Sequence, residues 1–174
     1  MTTSHCRTGW SGATASRARF LARWSCGGLL GLLLAVVPSG RLPAEPSVRL
    51  AVIVNPAVPA TTLGATELAS IFTRATRTWK DGTTVRALNL PTGGPERAEF
   101  DRVVLDMSPD HSAQFWIDRQ IRGEEAAPKA IGKAEIVVQL VLMLNGAIGY
   151  VPEEKVDAKV RVVARIRNGK VVAP

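Results

Sequence analysis

The chain has 174 residues, 46% of them hydrophobic, which is enough for one domain of ordinary size with a hydrophobic core. Its formal net charge of +7 suggests a nucleic-acid partner, but residues 1–44 hold five arginines and no acidic residue. The remaining residues carry 17 basic and 15 acidic groups, and this nearly neutral balance excludes a nucleic-acid-binding domain.

Residues 1–44 are typical of a secretory signal peptide followed by a linker. Arginines between residues 7 and 23 precede an apolar run of eleven residues, Gly27 to Val37. A membrane-spanning helix needs roughly 20 apolar residues, so the run fits a cleaved signal better than an uncleaved anchor, which stays the alternative. We therefore expect residues 45–174 to form a periplasmic domain, released by cleavage after Ser39 or Ala44.

Cysteine and histidine are too scarce in the expected domain for several kinds of site. Both cysteines, Cys6 and Cys26, lie in the leader, and His111 is the only histidine beyond residue 40. A disulfide, a metal site built on thiolate or imidazole, and a Ser-His-Asp hydrolase are therefore not expected. The segment Ser108-Pro109-Asp110-His111 is typical of a helix start. We expect no metal, no cofactor and no enzymatic activity.

The first predicted strand runs from Val48 to Val54 and ends at Asn55-Pro56. Its apolar character predicts a strand that is buried on both faces. In open α/β sheets, ligands bind beyond the carboxyl ends of the strands, which makes Asn55 a candidate ligand-binding residue. The alternative is that Asn55-Pro56 only initiates a turn.

A short helix is predicted from Leu63 to Phe72, with Gly64 as its N-cap and Glu67 three residues later. The segment from Trp79 to Gly82 predicts a tight turn, because Asp-Gly tolerates positive φ. The chain then returns as a strand from Val85 to Leu90.

Residues 88–100 combine the sequence features of an anion site. The predicted strand leads through Thr92-Gly93-Gly94 into a helix that begins at Pro95. This helix has one apolar face, formed by Phe100, Val103, Val104 and Met107. A turn of this kind directs unpaired backbone N–H groups towards an anion. Thr92, Gly93 and Gly94 are therefore candidate ligand-binding residues, and the alternative is an ordinary capped helix start.

The second half of the chain is mostly helical until its end. The segment Pro109 to Arg122 predicts a helix with Ala113, Trp116, Ile117 and Ile121 on one side. Residues 123–132 are predicted to be a polar loop. The stretch from Lys133 to Leu144 is apolar enough for a buried helix or a strand, and its length together with Asn145-Gly146 favours a helix.

The C-terminal part predicts strands again. A short strand is expected from Ala147 to Val151, and an alternating strand from Val160 to Arg167 has arginines on its solvated face. Asn168-Gly169 turns this strand into a final hairpin. Strands and helices thus alternate, which predicts an α/β fold with a mixed sheet, flanking helices and a C-terminal hairpin.

Three segments resemble a known family: Leu-x-x-x-Glu-Leu-x-x-Ile-Phe at 63–72, Trp-x-Asp-Gly at 79–82 and Asn-Gly-Ala-Ile-Gly-Tyr-Val at 145–151. They are similar to segments of the phosphate-specific periplasmic binding proteins of ABC importers, and more closely to those of their small single-domain relatives. The resemblance covers about residues 48–151. It implies a type 2 periplasmic-binding-protein fold, and a monomeric protein that delivers phosphate or a similar oxyanion to a membrane ABC permease.

The chain departs from this family at the ligand loop. Full-length members carry Arg-Ser-Asp-Gly-Ser-Gly-Thr, whose Arg, Ser, Gly and Thr hold the oxyanion, where this chain has Asn89 to Pro95. Thr92, Gly93 and Gly94 remain to bind an anion, but the family's Arg and Asp are missing and Pro95 removes one N–H donor. The chain is also about half the usual length, so the resemblance implies the fold more strongly than the ligand.

Arg97 and Tyr150 complete the set of candidate residues. Arg97, in the first helical turn, opposes the helix dipole by roughly 0.3–1 kcal/mol unless an anion is bound in front of it. A guanidinium is well shaped for bidentate contact with phosphate. The alternative is an i,i+4 pair with Asp101, worth roughly 0.2–0.5 kcal/mol. Tyr150 either brings its hydroxyl to a ligand or packs in the core.

Two classes of function follow from the sequence. The first is an extracytoplasmic solute-binding protein for phosphate or a similar oxyanion, associated with ABC-type import. The second is an envelope sensory or interaction module that keeps the fold, has lost the pocket and binds a membrane partner.

Overall fold

The computed structural model describes residues 48–174, so the predicted signal segment of residues 1–44 lies outside the described part. Within that part, the strands form one sheet in the order β3-β2-β4-β1-β5-β6. Their bounds are Leu50–Val54 for β1, Arg86–Asn89 for β2, Lys129–Ala130 for β3, Ala147–Pro152 for β4, Arg161–Arg167 for β5 and Lys170–Val172 for β6.

The sheet is mixed, as predicted. Strand β1 lies in its middle, antiparallel to both β4 and β5, and all five of its residues are fully buried. Strand β2 is parallel to both β4 and β3. Strands β5 and β6 form the predicted hairpin through Asn168 and Gly169, whose φ angles of 51° and 70° are both positive. Asn-Gly suits such a two-residue turn, so this prediction is confirmed.

In the part of the chain that the structure describes, four α-helices flank the sheet: α1 is Ala65–Phe72, α2 is Pro95–Phe100, α3 is Pro109–Ile121 and α4 is Ala134–Met143. Helix α2 continues as one widened π-helical turn, Asp101–Leu105, and a 3₁₀ turn, Glu153–Lys155, follows β4. The predicted start signals are present. The Glu67 carboxylate accepts a 2.9 Å hydrogen bond from the N–H of Gly64, and the Ser108 hydroxyl accepts one from the N–H of His111 at 3.2 Å.

The helices cover both faces of the sheet. Tyr150 of β4 stacks on Phe100 of α2 with ring centroids 3.8 Å apart, and Phe72 of α1 contacts both rings. Its neighbour Gly149 points to the opposite face, because successive strand residues alternate, and there it lies against Val137 of α4. Helices α1 and α2 therefore cover one face of the sheet and α4 the other.

The three segments that carry the family resemblance meet in this core. Phe72 of the first segment contacts Tyr150 of the third. The indole N–H of Trp79, from the second segment, donates a 3.0 Å hydrogen bond to the carbonyl of Gly146. Gly146 has a φ of +76°, and a Cβ there would lie 2.2 Å from the carbonyl oxygen of Thr84. These segments therefore build the scaffold, and their residue types follow from packing.

Some elements differ from the sequence-based expectation. The helix that begins at Pro95 ends at Leu105, short of Met107, because the widened turn leads into Asp106 with a left-handed φ of 54°. The predicted polar loop of residues 123–132 contains β3. In β5 a register shift opposite Val52 and Ile53 turns Val163 into the interior and leaves Val162 half-buried.

Helix α3 is less covered than its apolar side predicts. Ser112 is its one buried residue, whereas Ile117 is 49% and Ile121 79% exposed.

Among residues 48–174, no helix combines the length and the apolar character needed to cross a membrane.

Candidate functional site

The candidate residues of the Thr-Gly-Gly turn and Arg97 line one cavity. Its volume is about 750 Å³, and it lies between the start of α2, helix α3 and the segment around β3. Gly93 has a φ of +89°, a conformation that glycine adopts without strain, and Gly94 is the N-cap of α2. Four of the six candidate residues, Thr92, Gly93, Gly94 and Arg97, are therefore brought together.

Arg97 forms the predicted i,i+4 pair with Asp101, but the pair is buried. The Nε of Arg97 lies 2.8 Å from both carboxylate oxygens of Asp101, and the two side chains are only 8% and 3% exposed. The estimate for an exposed helical pair, roughly 0.2–0.5 kcal/mol, therefore does not apply. Breaking a buried pair costs several kcal/mol, because one charge is left without compensation.

The pairing still leaves Arg97 with donors for a ligand. A guanidinium carries five N–H groups, and Nε–H is the one held by Asp101. Nη1 reaches the carbonyl of Leu90 and Nη2 the hydroxyl of Ser112, each at a long 3.4 Å. Two of the five N–H groups therefore have no partner within the described part of the protein, and the side chain that carries them lines the cavity. An oxyanion there can replace the two long hydrogen bonds with shorter, charge-assisted ones.

Further cavity residues come from α3, where no ligand-binding residue was predicted. Ser112 and Trp116 face the cavity, and the indole Nε1 of Trp116 is buried without a hydrogen-bond partner. Pro109, Ser112, Ala113 and Trp116 follow one another at helical spacing, so they form a single side of α3. That spacing is readable from the sequence, but whether this side faces a core or a cavity depends on how α3 is placed.

Asn55 lies elsewhere, at the end of β1. Its Nδ2 donates to the carbonyls of Val141 and Leu142 at 2.8 and 3.1 Å, in the last turn of α4. Its Oδ1 accepts a 2.9 Å hydrogen bond from the N–H of Ala57. The side chain is nearly fully buried and all of these bonds are internal, so in this structure Asn55 connects β1 to α4.

Tyr150 is also outside the cavity. Its hydroxyl accepts a 3.3 Å hydrogen bond from the N–H of Leu90, and its ring is fully buried between Phe100 and Phe72. Burial raises the pKa of this hydroxyl well above its ordinary value, so it stays protonated at any physiological pH. The carbonyl of Leu90 accepts a hydrogen bond from Arg97, so Tyr150 and Arg97 both hold the Leu90 backbone.

A second cavity, of about 320 Å³, lies between residues 59–63, helix α1 and residues 76–80. Several threonine hydroxyls line it, together with Glu67 and Trp79. Its cation is Lys80, without the planar fork of an arginine, whereas the cavity at Arg97 combines a guanidinium with the Thr-Gly-Gly turn. Among residues 48–174, no cluster of three or more His, Cys, Asp or Glu side chains is arranged to hold a metal ion.

No family model and no curated protein sequence matches the chain. Its fold does match solved structures. An ABC-type phosphate transport receptor from Vibrio cholerae has a TM-score of 0.53 at 19% identity. A protein assigned as a phosphate ABC transporter substrate-binding protein from Clostridium perfringens, solved with bound phosphate, has a TM-score of 0.54 at 19% identity. PstS from Borrelia burgdorferi has a TM-score of 0.52 at 16% identity.

These likenesses define the class of fold. Each of them covers 67% of this chain, and the chain spans only 45–47% of the length of those proteins. The described part of the chain has the α/β fold of phosphate-type periplasmic binding proteins, with a mixed sheet and flanking helices. The predicted fold class and the family resemblance are confirmed, and at identities below 20% the likeness extends to the fold alone.

Proposed function

We propose that the protein is an extracytoplasmic solute-binding protein that binds phosphate or a similar oxyanion, and that it acts with an ABC-type importer. The observation that carries this proposal is the convergence of Thr92, Gly93, Gly94 and Arg97 on one cavity. The fold supports it, because the neighbours from Vibrio cholerae and Clostridium perfringens are a phosphate transport receptor and a phosphate-bound binding protein.

The chemistry of the cavity suits binding rather than catalysis. Arg97 offers unused N–H donors, and Asp101, which also lines the cavity, accepts from its Nε–H and compensates its charge. The hydroxyl of Ser112 lies within reach of Nη2, and Thr92 adds a second hydroxyl to the lining. A preformed set of donors of this kind recognises an oxyanion without a large ordering cost.

The test is a calorimetric titration of the purified protein with phosphate, sulfate and small carboxylates. Arg97→Lys is the informative variant, because lysine keeps a charge beside Asp101 but loses the planar fork. We expect this variant to weaken oxyanion binding by about 10- to 150-fold, as for one charge-assisted hydrogen bond of roughly 1.5–3 kcal/mol.

Arg102→Lys is the matched control. Arg102 belongs to the widened turn after α2, pairs with Glu99 at 2.7 Å and does not line this cavity. We expect it to bind like the wild type. The proposal is contradicted if no oxyanion in the series raises the melting temperature of the wild-type protein or gives a calorimetric binding signal. Equal loss of binding in both variants contradicts the assignment to Arg97.

The alternative function, an envelope interaction module, is favoured by one observation, the exposed apolar side of α3. Ile117 and Ile121 are 49% and 79% exposed on that helix. Scattered apolar residues are common on surfaces, so two of them carry less weight than a cavity with a buried guanidinium. Loss of partner binding in Ile117→Ser and Ile121→Ser variants, with no oxyanion affinity in the wild type, supports this alternative instead.

A further inference from the structure

The cavity beside Arg97 is larger than an inorganic oxyanion requires. Its volume of about 750 Å³ lies within the range of roughly 300–1,000 Å³ that holds ligands with a substantial organic body. Phosphate has only one phosphorus and four oxygen atoms, so it occupies a small part of this space. The remaining volume is filled either by solvent or by further atoms of the ligand.

The lining of the cavity is divided between polar and apolar elements. The polar contribution comes from the Thr-Gly-Gly turn and Arg97 at the start of α2, together with Asp101, Asp110 and Ser112. The apolar contribution comes mainly from α3 and from the segment that contains β3, through Pro109, Ala113, Trp116, Ala127, Pro128 and Ala130, and α2 adds Pro95 and Ala98. This arrangement matches a ligand with an anionic head and an apolar body.

One further feature favours an organic ligand. An apolar group placed against α3 and residues 127–130 gains roughly 25 cal/mol for each Å² removed from water, which inorganic phosphate cannot gain. Trp116 lines the cavity and adds the largest side chain of this apolar lining.

We infer that the ligand is an organic oxyanion, namely a phosphonate or phosphate monoester with an aryl or alkyl group. Its oxyanion head binds at Arg97, and its apolar body lies between α3 and residues 127–130. This inference rests on the proposed oxyanion function and narrows its substrate class.

The experiment compares three probes by isothermal titration calorimetry on the wild-type protein. Inorganic phosphate supplies the head alone, benzyl alcohol supplies the body alone, and phenylphosphonate supplies both. We expect phenylphosphonate to bind at least about tenfold more tightly than inorganic phosphate, which corresponds to about 1.4 kcal/mol. Benzyl alcohol is expected to bind most weakly.

Two variants locate the apolar body. Ala113→Leu fills the cavity from an exposed position on α3, and both residues are good helix formers. We expect it to remove the advantage of phenylphosphonate, so that phenylphosphonate and phosphate bind this variant with similar affinity. Gln120→Leu adds the same side chain at an exposed position of α3 outside the cavity lining, and it should behave like the wild type.

The outcomes separate this inference from the function on which it rests. If phosphate binds as tightly as phenylphosphonate, the organic ligand is refuted and the oxyanion function stands. If neither binds, both are refuted. If Ala113→Leu binds phenylphosphonate with wild-type affinity, the body does not lie against α3 and the inference is refuted.

Discussion

The pair between Arg97 and Asp101 gives the strongest stability prediction. Asp101→Asn removes the carboxylate that accepts the Nε–H of Arg97 at 2.8 Å on both oxygens. Asp101 is 3% exposed, so the guanidinium is left charged in a place that water barely reaches. The expected loss is roughly 3–5 kcal/mol, against a total stability of roughly 5–15 kcal/mol for an ordinary domain.

The assay is urea unfolding followed by tryptophan fluorescence, with Glu99→Gln as the matched control. Glu99 pairs with Arg102 at 2.7 Å, but Arg102 is 59% exposed. Exposed pairs contribute roughly 0–1 kcal/mol, so the control should unfold near the wild-type midpoint. A loss for Asp101→Asn as small as that of the control would refute the reasoning that burial sets the size of the effect.

A double variant separates the loss of the pair from the burial of an unpaired charge. Arg97→Met with Asp101→Leu replaces both partners by apolar side chains. We expect it to be more stable than Asp101→Asn, because neither charge remains buried alone. A double variant that is less stable than Asp101→Asn would show that the pair itself, rather than the orphaned charge, determines the loss.

Three further predictions concern the scaffold. Tyr150→Phe should lower the free energy of unfolding by about 1 kcal/mol, because the N–H of Leu90 loses a buried acceptor at 3.3 Å. Its oxyanion affinity, measured by calorimetry, should not change. Asn55→Ala should lower the free energy of unfolding, measured in urea, by about 2–3 kcal/mol, since its three internal hydrogen bonds are lost. A change in oxyanion affinity without this loss of stability would instead support a ligand role. Hydrogen bonding to Arg167, and then to Arg165, lowers the pKa of Glu153. A carboxylate with a lowered pKa stabilises the folded state at pH values above its pKa in the unfolded chain, which is near 4.3 for Glu. This stabilisation is lost as the pH falls through the pKa of the folded state. The stability difference between wild type and Glu153→Gln, measured by thermal unfolding from pH 7 to pH 3, should therefore shrink below about pH 4.

Much of the fold was predictable because local signals agree with the tertiary structure. The capping pattern of Gly64 and Glu67 and the Asn168-Gly169 turn each have a local physical cause. The short β3 strand was not predictable, because Lys129 and Ala130 become a strand only by pairing with β2. The register shift in β5 depends in the same way on its partner β1.

The candidate site was predictable only in part. The Thr-Gly-Gly turn and Arg97 are close in sequence, so local reasoning placed them together. Local reasoning underestimated the pair with Asp101, because it gives the spacing of the two residues but not their burial. The contribution of Trp116 to the cavity could not be predicted, since a tryptophan on the apolar side of a helix indicates a core position equally well.

The central place of β1 has a consequence for how the domain folds. Leu50 is paired with Pro152 on one side and with Ile166 on the other, so the strand nearest the start of the domain is held by the last third of the chain. Contacts of such long sequence separation form slowly, because a long loop must close first. During synthesis, β1 cannot complete its pairing until residues 147–167 have emerged. An apolar five-residue strand therefore stays without its partners during this interval of synthesis, in which a chaperone can bind it.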